Sequence, residues 1–343
     1  MKSPWANLAL LGILITLFLT GYLGLVNGQE QAAWRLWLHG IAAYALILLF
    51  IWKGGIILDA YRRKTRWTRQ RLLFTLLLIL LLIVAGIGLL WSFYGPLAIG
   101  GFSLVSLHIY LAIPLMLLMI WHSWRQRFIF RVKGAAGRRL LLGAGFTAVL
   151  GTFLWRTAEW GKTLLAWPGA ARRFTGSYEQ GSLTGRFPVV SWINDAPAPV
   201  DLAEWRLRID GAVAEKRSFS YEDLLALPPT SAEAVLDCTG GWYTRQIWEG
   251  VSLAGLLEAA GIAPEAASVT LEAITGYTRR FPLVELPDML LALRVAGAPL
   301  SHGHGAPLRL VIPGQRGVEW VKWITAIHLN TTSAIWQPPL PLE

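Results

Sequence analysis

The 343-residue sequence predicts a membrane all-α helical bundle (five transmembrane helices) followed by an α+β, strand-rich domain. Three observations carry this. The chain is 54% hydrophobic with 18 Trp and a mean hydropathy of +0.47, too apolar for an ordinary soluble protein. Its charge divides sharply: residues 1–155 hold 15 Lys and Arg against two acids, and residues 156–343 hold 16 against 19. The residue pattern also changes, from long apolar runs before residue 156 to short alternating segments after residue 185.

Five apolar segments lie at 8–26, 38–58, 72–91, 102–121 and 140–155. The first four have the ~20 residues that a helix needs to cross a ~30 Å hydrocarbon layer. The fifth is shorter but is flanked by Trp155 and Trp160, residues suited to the interface. No small-residue cleavage site follows the first segment, which is therefore read as a retained helix.

Loop charges set the orientation. The second-to-third loop carries Lys53, Arg62, Arg63, Lys64, Arg66, Arg69 and Arg71, and the fourth-to-fifth carries Arg125, Arg127, Arg131, Lys133, Arg138 and Arg139. The first-to-second loop has only Arg35, and the third-to-fourth has none. Both basic loops, and with them the N-terminus, are expected in the cytoplasm, and everything after the fifth helix in the periplasm or outside the cell. The basic pI then reflects membrane topology, and nucleic acid is excluded as a partner.

Histidines within apolar helices are costly and usually functional. His39 and His108 fall near the outer ends of the second and fourth segments, at similar depth. His122 follows His108 by 14 residues, ~21 Å along the axis and within ~40° of the same face. This spacing suits two stacked haem ligands, although His122, beside Trp121 and Trp124, also suits the interface. Gly137-Arg138-Arg139 before an apolar run reads as a twin-arginine export signal as well as positive-inside charge.

With Leu38-His39-Gly40 and Leu107-His108-Ile109-Tyr110, the first half resembles four-helix b-type cytochromes that serve as membrane subunits of oxidoreductases. The resemblance implies one haem b held by His39 and His108 and electron exchange with the quinone/quinol pool. The position 14 after His39 is Lys53, so the inner histidine pair is incomplete. A second haem on His122 with an unusual partner is the alternative.

Residues 156–184 read as a linker and 185–334 as the outer domain, with 335–343 a tail. Strands are expected at 205–211, 268–274, 308–312 and 321–329, and helices at 221–227 and 251–260. Ser220 to Asp223 form a capping box, and Gly261 ends the second helix. Val235-Leu236-Asp237-Cys238-Thr239-Gly240-Gly241-Trp242 holds the sole cysteine, which is either an apolar filler or a thiol kept for chemistry. Around it in sequence come Arg245, Tyr277, Arg279, Arg280, His302, His304, Arg309, Arg316 and Lys322. His302-Gly303-His304 lacks a second ligand pair, so its zinc signal is weak. Basic residues around a glycine-rich loop are what a phosphate-bearing cofactor needs.

Asp237-Cys238-Thr239-Gly240-Gly241-Trp242, then Ile247 to Leu253, Gly305 to Pro313 and Gly317 to Trp323, occur in this order. Together they resemble the molybdopterin-binding domain of the sulfite oxidase family, especially its bacterial periplasmic sulfoxide-reductase-like branch. The resemblance covers roughly residues 185–332 and implies a sulfite-oxidase-like fold and a molybdenum-molybdopterin cofactor. It makes Cys238 the thiolate ligand of molybdenum and the catalytic residue. Arg309 and Lys322 match residues that hold the pterin phosphate, and His304 stands where the branch has a polar pterin contact. Thr275 and Tyr277 are further pocket candidates. The immunoglobulin-like domain of eukaryotic relatives is expected to be missing, as is their N-terminal haem domain. The implied enzyme transfers oxygen atoms to or from a small oxo-anion or sulfoxide, with the lipid bilayer as its anchor. The reading from another class is a non-catalytic cytochrome-like membrane protein whose outer domain binds a ligand or partner.

Overall fold

A computed structural model describes residues 4–63, 66–125, 135–192 and 195–337. Lys64, Arg127, Arg131 and Lys133 of the basic loops, and 338–343 of the tail, lie outside the described residues. The chain forms two compact units, one essentially residues 1–178 and the other essentially 179–343.

The first unit contains α1 (Pro4–Val26), α2 (Ala33–Arg63), α3 (Arg69–Tyr94), α4 (Leu104–Arg125) and α5 (Ala135–Leu164). Each has a stretch long and apolar enough to cross a membrane. Thr68 caps α3 by accepting from the Arg71 amide at 3.2 Å. A hairpin of β1 (Ala98–Ile99) and β2 (Phe102–Ser103) joins α3 to α4.

Helix α5 runs nine residues past its expected end at 155. Its last turns are polar because Lys162, 1% exposed, and Glu159 form a buried cluster with Arg172 and Ser92. Hydropathy cannot see a helix held by such a cluster, so part of the expected linker 156–184 is helix. The linker also contains a single helical turn at Pro168–Ala171, and its Trp91–Tyr178 contact is built into the first unit.

The bundle core shows an internal repeat absent from the sequence reading. Leu14 and Leu81, 67 positions apart on α1 and α3, are buried together with Leu46 and Leu115, 69 positions apart on α2 and α4. The α1–α2 hairpin is therefore echoed by α3–α4, with α5 outside the repeat.

The second unit is α+β. After β3 (Tyr178–Glu179) come β4 (Leu207–Gly211), β5 (Arg217–Phe219), α6 (Tyr221–Ala226), β6 (Thr230–Asp237), β7 (Trp242–Ser252) and α7 (Leu253–Ala260). Then follow β8 (Ser268–Ala273), β9 (Thr278–Pro282), β10 (Leu290–Val295), β11 (Ala298–Pro299), β12 (Arg309–Val311) and β13 (Ile324–Asn330). One sheet runs β5-β4-β13-β8-β9, with β13 parallel to β4 and the other pairs antiparallel. The other centres on β7 and β10, with β6 on β7 and both β11 and β12 on β10. Alternating burial along β4 and β7 sends Leu207, Ile209, Trp248 and Val251 into one apolar core.

The capping box at Ser220 is present, with reciprocal bonds between Ser220 and Asp223. Helix α7 starts at Leu253, not at 251, because Val251 and Ser252 close β7 and Ser252 caps the helix instead. Strand β13 starts at Ile324, not at 321: Trp323 takes φ +50°, which breaks an extended run.

Candidate functional site

Cys238 follows the end of β6 and opens the turn into β7. The turn is closed by Cys238 N–H donating to the Trp242 carbonyl at 2.9 Å and Gly241 N–H to the Cys238 carbonyl at 3.1 Å. The Gly240 amide points at the Cys238 Sγ, 3.3 Å away. Arg316 grips the turn from below: its Nη2 donates to the Cys238 carbonyl at 3.1 Å, and its Nη1 lies 3.0 Å from Asp237 Oδ1. Arg316 and Asp237 are 3% and 2% exposed, so this pair fixes the backbone under the thiol from inside the core. Burial pushes the Cys238 thiol pKa up, opposed by the Gly240 amide and the Arg316 charge.

The thiol faces a cleft of about 670 Å³, open mouth included. Its walls include Cys238, Trp242, Tyr277, His304, Arg309 and Lys322. Arg309 is held between indole faces, its Cζ 5.1 Å from the Trp248 ring and 5.6 Å from Trp320. Its Nη1 donates to the His304 carbonyl at 2.8 Å, while its buried Nε has no hydrogen-bond partner among the described residues. Burial lowers its pKa to about 9. A buried donor left open beside a cleft fits an anionic group that the cleft is built to receive. Lys322 is lowered to about 7, chiefly by burial and then by Arg309, with Asp195 opposing.

Sequence reading missed the wall formed by residues 187–192. Lys322 Nζ donates to the Val190 carbonyl at 2.9 Å, the Gly303 carbonyl at 2.7 Å and Ser191 Oγ at 3.3 Å. The His304 ring stacks on Phe187 with centroids 3.9 Å apart. No local pattern flags this extended segment, because tertiary contacts alone place it.

Of the expected residues, Cys238, Tyr277, His304, Arg309 and Lys322 come together at the cleft. Thr275 does not: it sits in the β8–β9 turn, outside the cleft wall. Gly276 between them takes φ +89°, so the turn and not a strand's alternation sets the direction of each side chain. Tyr277 Oη donates to the Val318 carbonyl at 2.5 Å. Both His304 nitrogens are engaged, Nε2 with the Phe187 carbonyl at 3.0 Å and Nδ1 with Ser301 Oγ at 3.0 Å. His302 Nε2 donates to the Pro197 carbonyl at 2.9 Å. A carbonyl can only accept, so each of these Nε2 atoms carries its proton, and the His-Gly-His run is not set up to hold zinc.

In the first unit His39 and His108 face each other with ring centroids 6.2 Å apart. His39 Nδ1 bonds the Leu17 carbonyl at 3.0 Å and His108 Nδ1 the Val84 carbonyl at 2.9 Å. Both rings therefore keep the proton on Nδ1 and leave a lone pair on Nε2, the tautomer of a metal ligand. Gly21 and Gly88 lie against them: a Cβ there would sit 3.3 Å from His39 Cε1 and 3.1 Å from His108 Cε1. His122 does not join this pair and packs on Phe74 at 5.6 Å.

The family described as "Oxidoreductase molybdopterin binding domain" matches residues 194–335. The protein named "Uncharacterized oxidoreductase YuiH" from Bacillus subtilis is 34% identical over 152 residues, 43% of this chain and 76% of its own length. The putative protein-methionine-sulfoxide reductase subunit YedZ1 of Azospira oryzae is 24% identical over 213 residues, 61% of this chain and 81% of its own. The protein-methionine-sulfoxide reductase catalytic subunit MsrP of Gluconobacter oxydans is 33% identical over 145 residues, 36% of this chain and 46% of its own. With a strand-rich domain built around Cys238 and a relative matched over three quarters of its length, this chain belongs to the molybdopterin-binding oxidoreductase family.

Proposed function

We propose that this molybdopterin oxidoreductase is anchored in the cytoplasmic membrane and transfers oxygen atoms on a small oxo-anion or sulfoxide at the outer face. The observation that carries the reading is the cleft itself: a lone thiol at its floor, gripped from below by Arg316, with Arg309 Nε open on its wall. The molybdenum cofactor, when bound, supplies two-electron redox chemistry at its metal. The chain's own residues do the rest. Cys238 offers a soft thiolate to the metal. Burial raises the thiol pKa, and the Gly240 amide and Arg316 charge oppose that rise. Arg309, held flat by Trp248 and Trp320, meets the pterin phosphate with Lys322 as second cation. Tyr277 and His304 are fixed by their own hydrogen bonds and shape the wall rather than move protons.

One haem b would be held by His39 and His108 and, when bound, would supply one-electron exchange with quinol. Several features support this reading. Both rings have Nε2 free. Their 6.2 Å separation is about two metal–imidazole bonds of ~2.0–2.1 Å plus two ring half-widths. Glycines also stand beside both rings. The two sulfoxide-reductase relatives favour reduction of a sulfoxide. The basic loops favour an outer domain in the periplasm or cell exterior, and Arg138-Arg139 favour twin-arginine export.

Metal analysis tests the core of this reading. Wild-type protein from molybdate-replete cells is expected to hold one molybdenum per chain, and Cys238→Ala to lose molybdenum-dependent activity. Full activity in Cys238→Ala removes the thiolate assignment, and a metal-free wild type removes the function. In the same preparations His108→Ala should abolish the reduced-haem absorbance.

A further inference from the structure

We infer that the basic-loop end of the bundle, at Lys53, Asn7 and His122, is a binding site for a quinol headgroup and not a second haem site. The inference rests on the proposed haem at His39 and His108, and it names where that haem's electrons enter. The internal repeat carries the argument. Leu17 and Gly21 on α1 serve His39, and Val84 and Gly88, each 67 positions later on α3, serve His108, which lies 69 positions after His39. Fourteen residues further along α2 and α4 the same 69-residue offset pairs Lys53 with His122, about 21 Å from the first pair. Ten residues earlier on α1 and α3, the 67-residue offset pairs Asn7 with Phe74.

The second position has thus kept the geometry of a ligand pair and changed its chemistry. At the first position small glycines leave room beside each imidazole. At the second, the Phe74 ring lies 5.6 Å from His122 and fills the corresponding space. Asn7 takes the other place, and its Oδ1 accepts from Lys53 Nζ at 2.5 Å. A large flat macrocycle is crowded there. What remains is a fixed ammonium donor, an amide and an imidazole, each half-buried on apolar helices, and ionisable groups are retained in such places for a ligand or a proton path. A single aromatic ring with two opposed hydroxyl groups matches this set. Lys53 and the Asn7 amide donate to one oxygen, and His122 accepts from the other.

The step balances without further reactants. The hydroquinone loses two protons and two electrons and becomes the quinone, and no bond between heavy atoms breaks. His122 accepts one phenolic proton on a ring nitrogen, and the second passes to water at the basic-loop end. The electrons leave singly to two equivalents of ferric haem, which is reduced to ferrous.

The test uses the full chain in detergent. It measures haem per chain, haem reduction by decylubiquinol, and binding of 2-heptyl-4-hydroxyquinoline N-oxide followed by its fluorescence. Lys53→Met and His122→Phe should each keep the wild-type haem content. Each should slow quinol-driven haem reduction and weaken probe binding by about tenfold or more, the loss expected for a charged hydrogen bond. Asn7→Ala gives a milder change in the same direction if Lys53→Met fails to fold. Two haems in the wild type with one lost in His122→Phe overturns the inference in favour of a second haem. Wild-type reduction rates and probe affinity in all variants overturn it as well. Absence of any haem from wild-type protein is a separate outcome, and it removes the His39 and His108 reading on which this one stands.

Discussion

Arg316 shows how a residue far from the reacting atoms can control a ligand. Its guanidinium ties Asp237 and the Cys238 carbonyl together in the core, so the β6–β7 turn cannot relax and the thiol is held on line with the cleft. Removing one partner of a buried pair leaves the other charge uncompensated, at a cost of about 3–5 kcal/mol. Arg316→Met is therefore expected to lower the unfolding temperature of the full chain markedly and to reduce molybdenum content. Unchanged thermal unfolding and metal content would show that the pair is dispensable. Lys322 makes a different prediction. Its pKa falls from 10.5 to about 7 on folding, because its ammonium is buried beside Arg309. The unfolded chain therefore binds more protons between pH ~7 and ~10.5, and the stability of cofactor-free protein rises through that window. Thermal unfolding across this range should lose part of that rise in Lys322→Met. Only part of this chemistry is legible in the chain. Cys238, Arg309 and Lys322 stand in compact motifs, whereas Arg316's role depends on a loop brought in from 78 residues away.

At the scale of elements, length and hydropathy identify all five apolar helices, since a ~20-residue run has few other uses. They miss helix ends made by polar packing, as at Glu159 and Lys162 in α5. Strands were legible where burial alternates, as in β4. They were not legible in β7, whose alternation buries the polar Thr244 and Gln246, or in β10, which is buried at nearly every position. Gly250 marks the tightest point of that pairing: a Cβ there would lie 1.9 Å from the Leu291 carbonyl oxygen. No rotamer relieves such a clash, so Gly250→Ala must part β7 from β10 at the strand that carries Trp248 toward Arg309. A loss of about 4 kcal/mol or more is expected. It would be read as a large drop in unfolding temperature together with lost cofactor retention, and a wild-type melting profile would contradict the packing described.

Across the whole molecule, charge and cofactor chemistry impose one order of events. The N-terminal half carries about +13, nearly all of it on the α2–α3 and α4–α5 connections and the helix ends that flank them, and the C-terminal half about −3. On the proposed membrane reading, such a division of charge orients the chain as it inserts. Helix α5 is the step that decides where the second unit goes. Arg138 lies exposed in its first turn, which holds no acidic residue. Cations at a helix N-terminus oppose the dipole by about 0.3–1 kcal/mol, so helix stability does not explain the basic start of α5, and positive-inside charge and the proposed export signal are the two readings to separate. A pterin cleft walled by residues 187–192, with Lys322 fastened across them, is best filled before the domain leaves the compartment that supplies the cofactor. Export of an already folded domain satisfies that condition, and the twin-arginine route carries folded cargo. Arg138→Lys with Arg139→Lys keeps every positive charge and changes only the arginine pair. If the pair is read as an export signal, protease added to spheroplasts should cut the second unit in the wild type and spare it in the double variant. If positive-inside charge alone places the domain, the two proteins will be cut alike, and the export reading falls while the charge-based orientation stands.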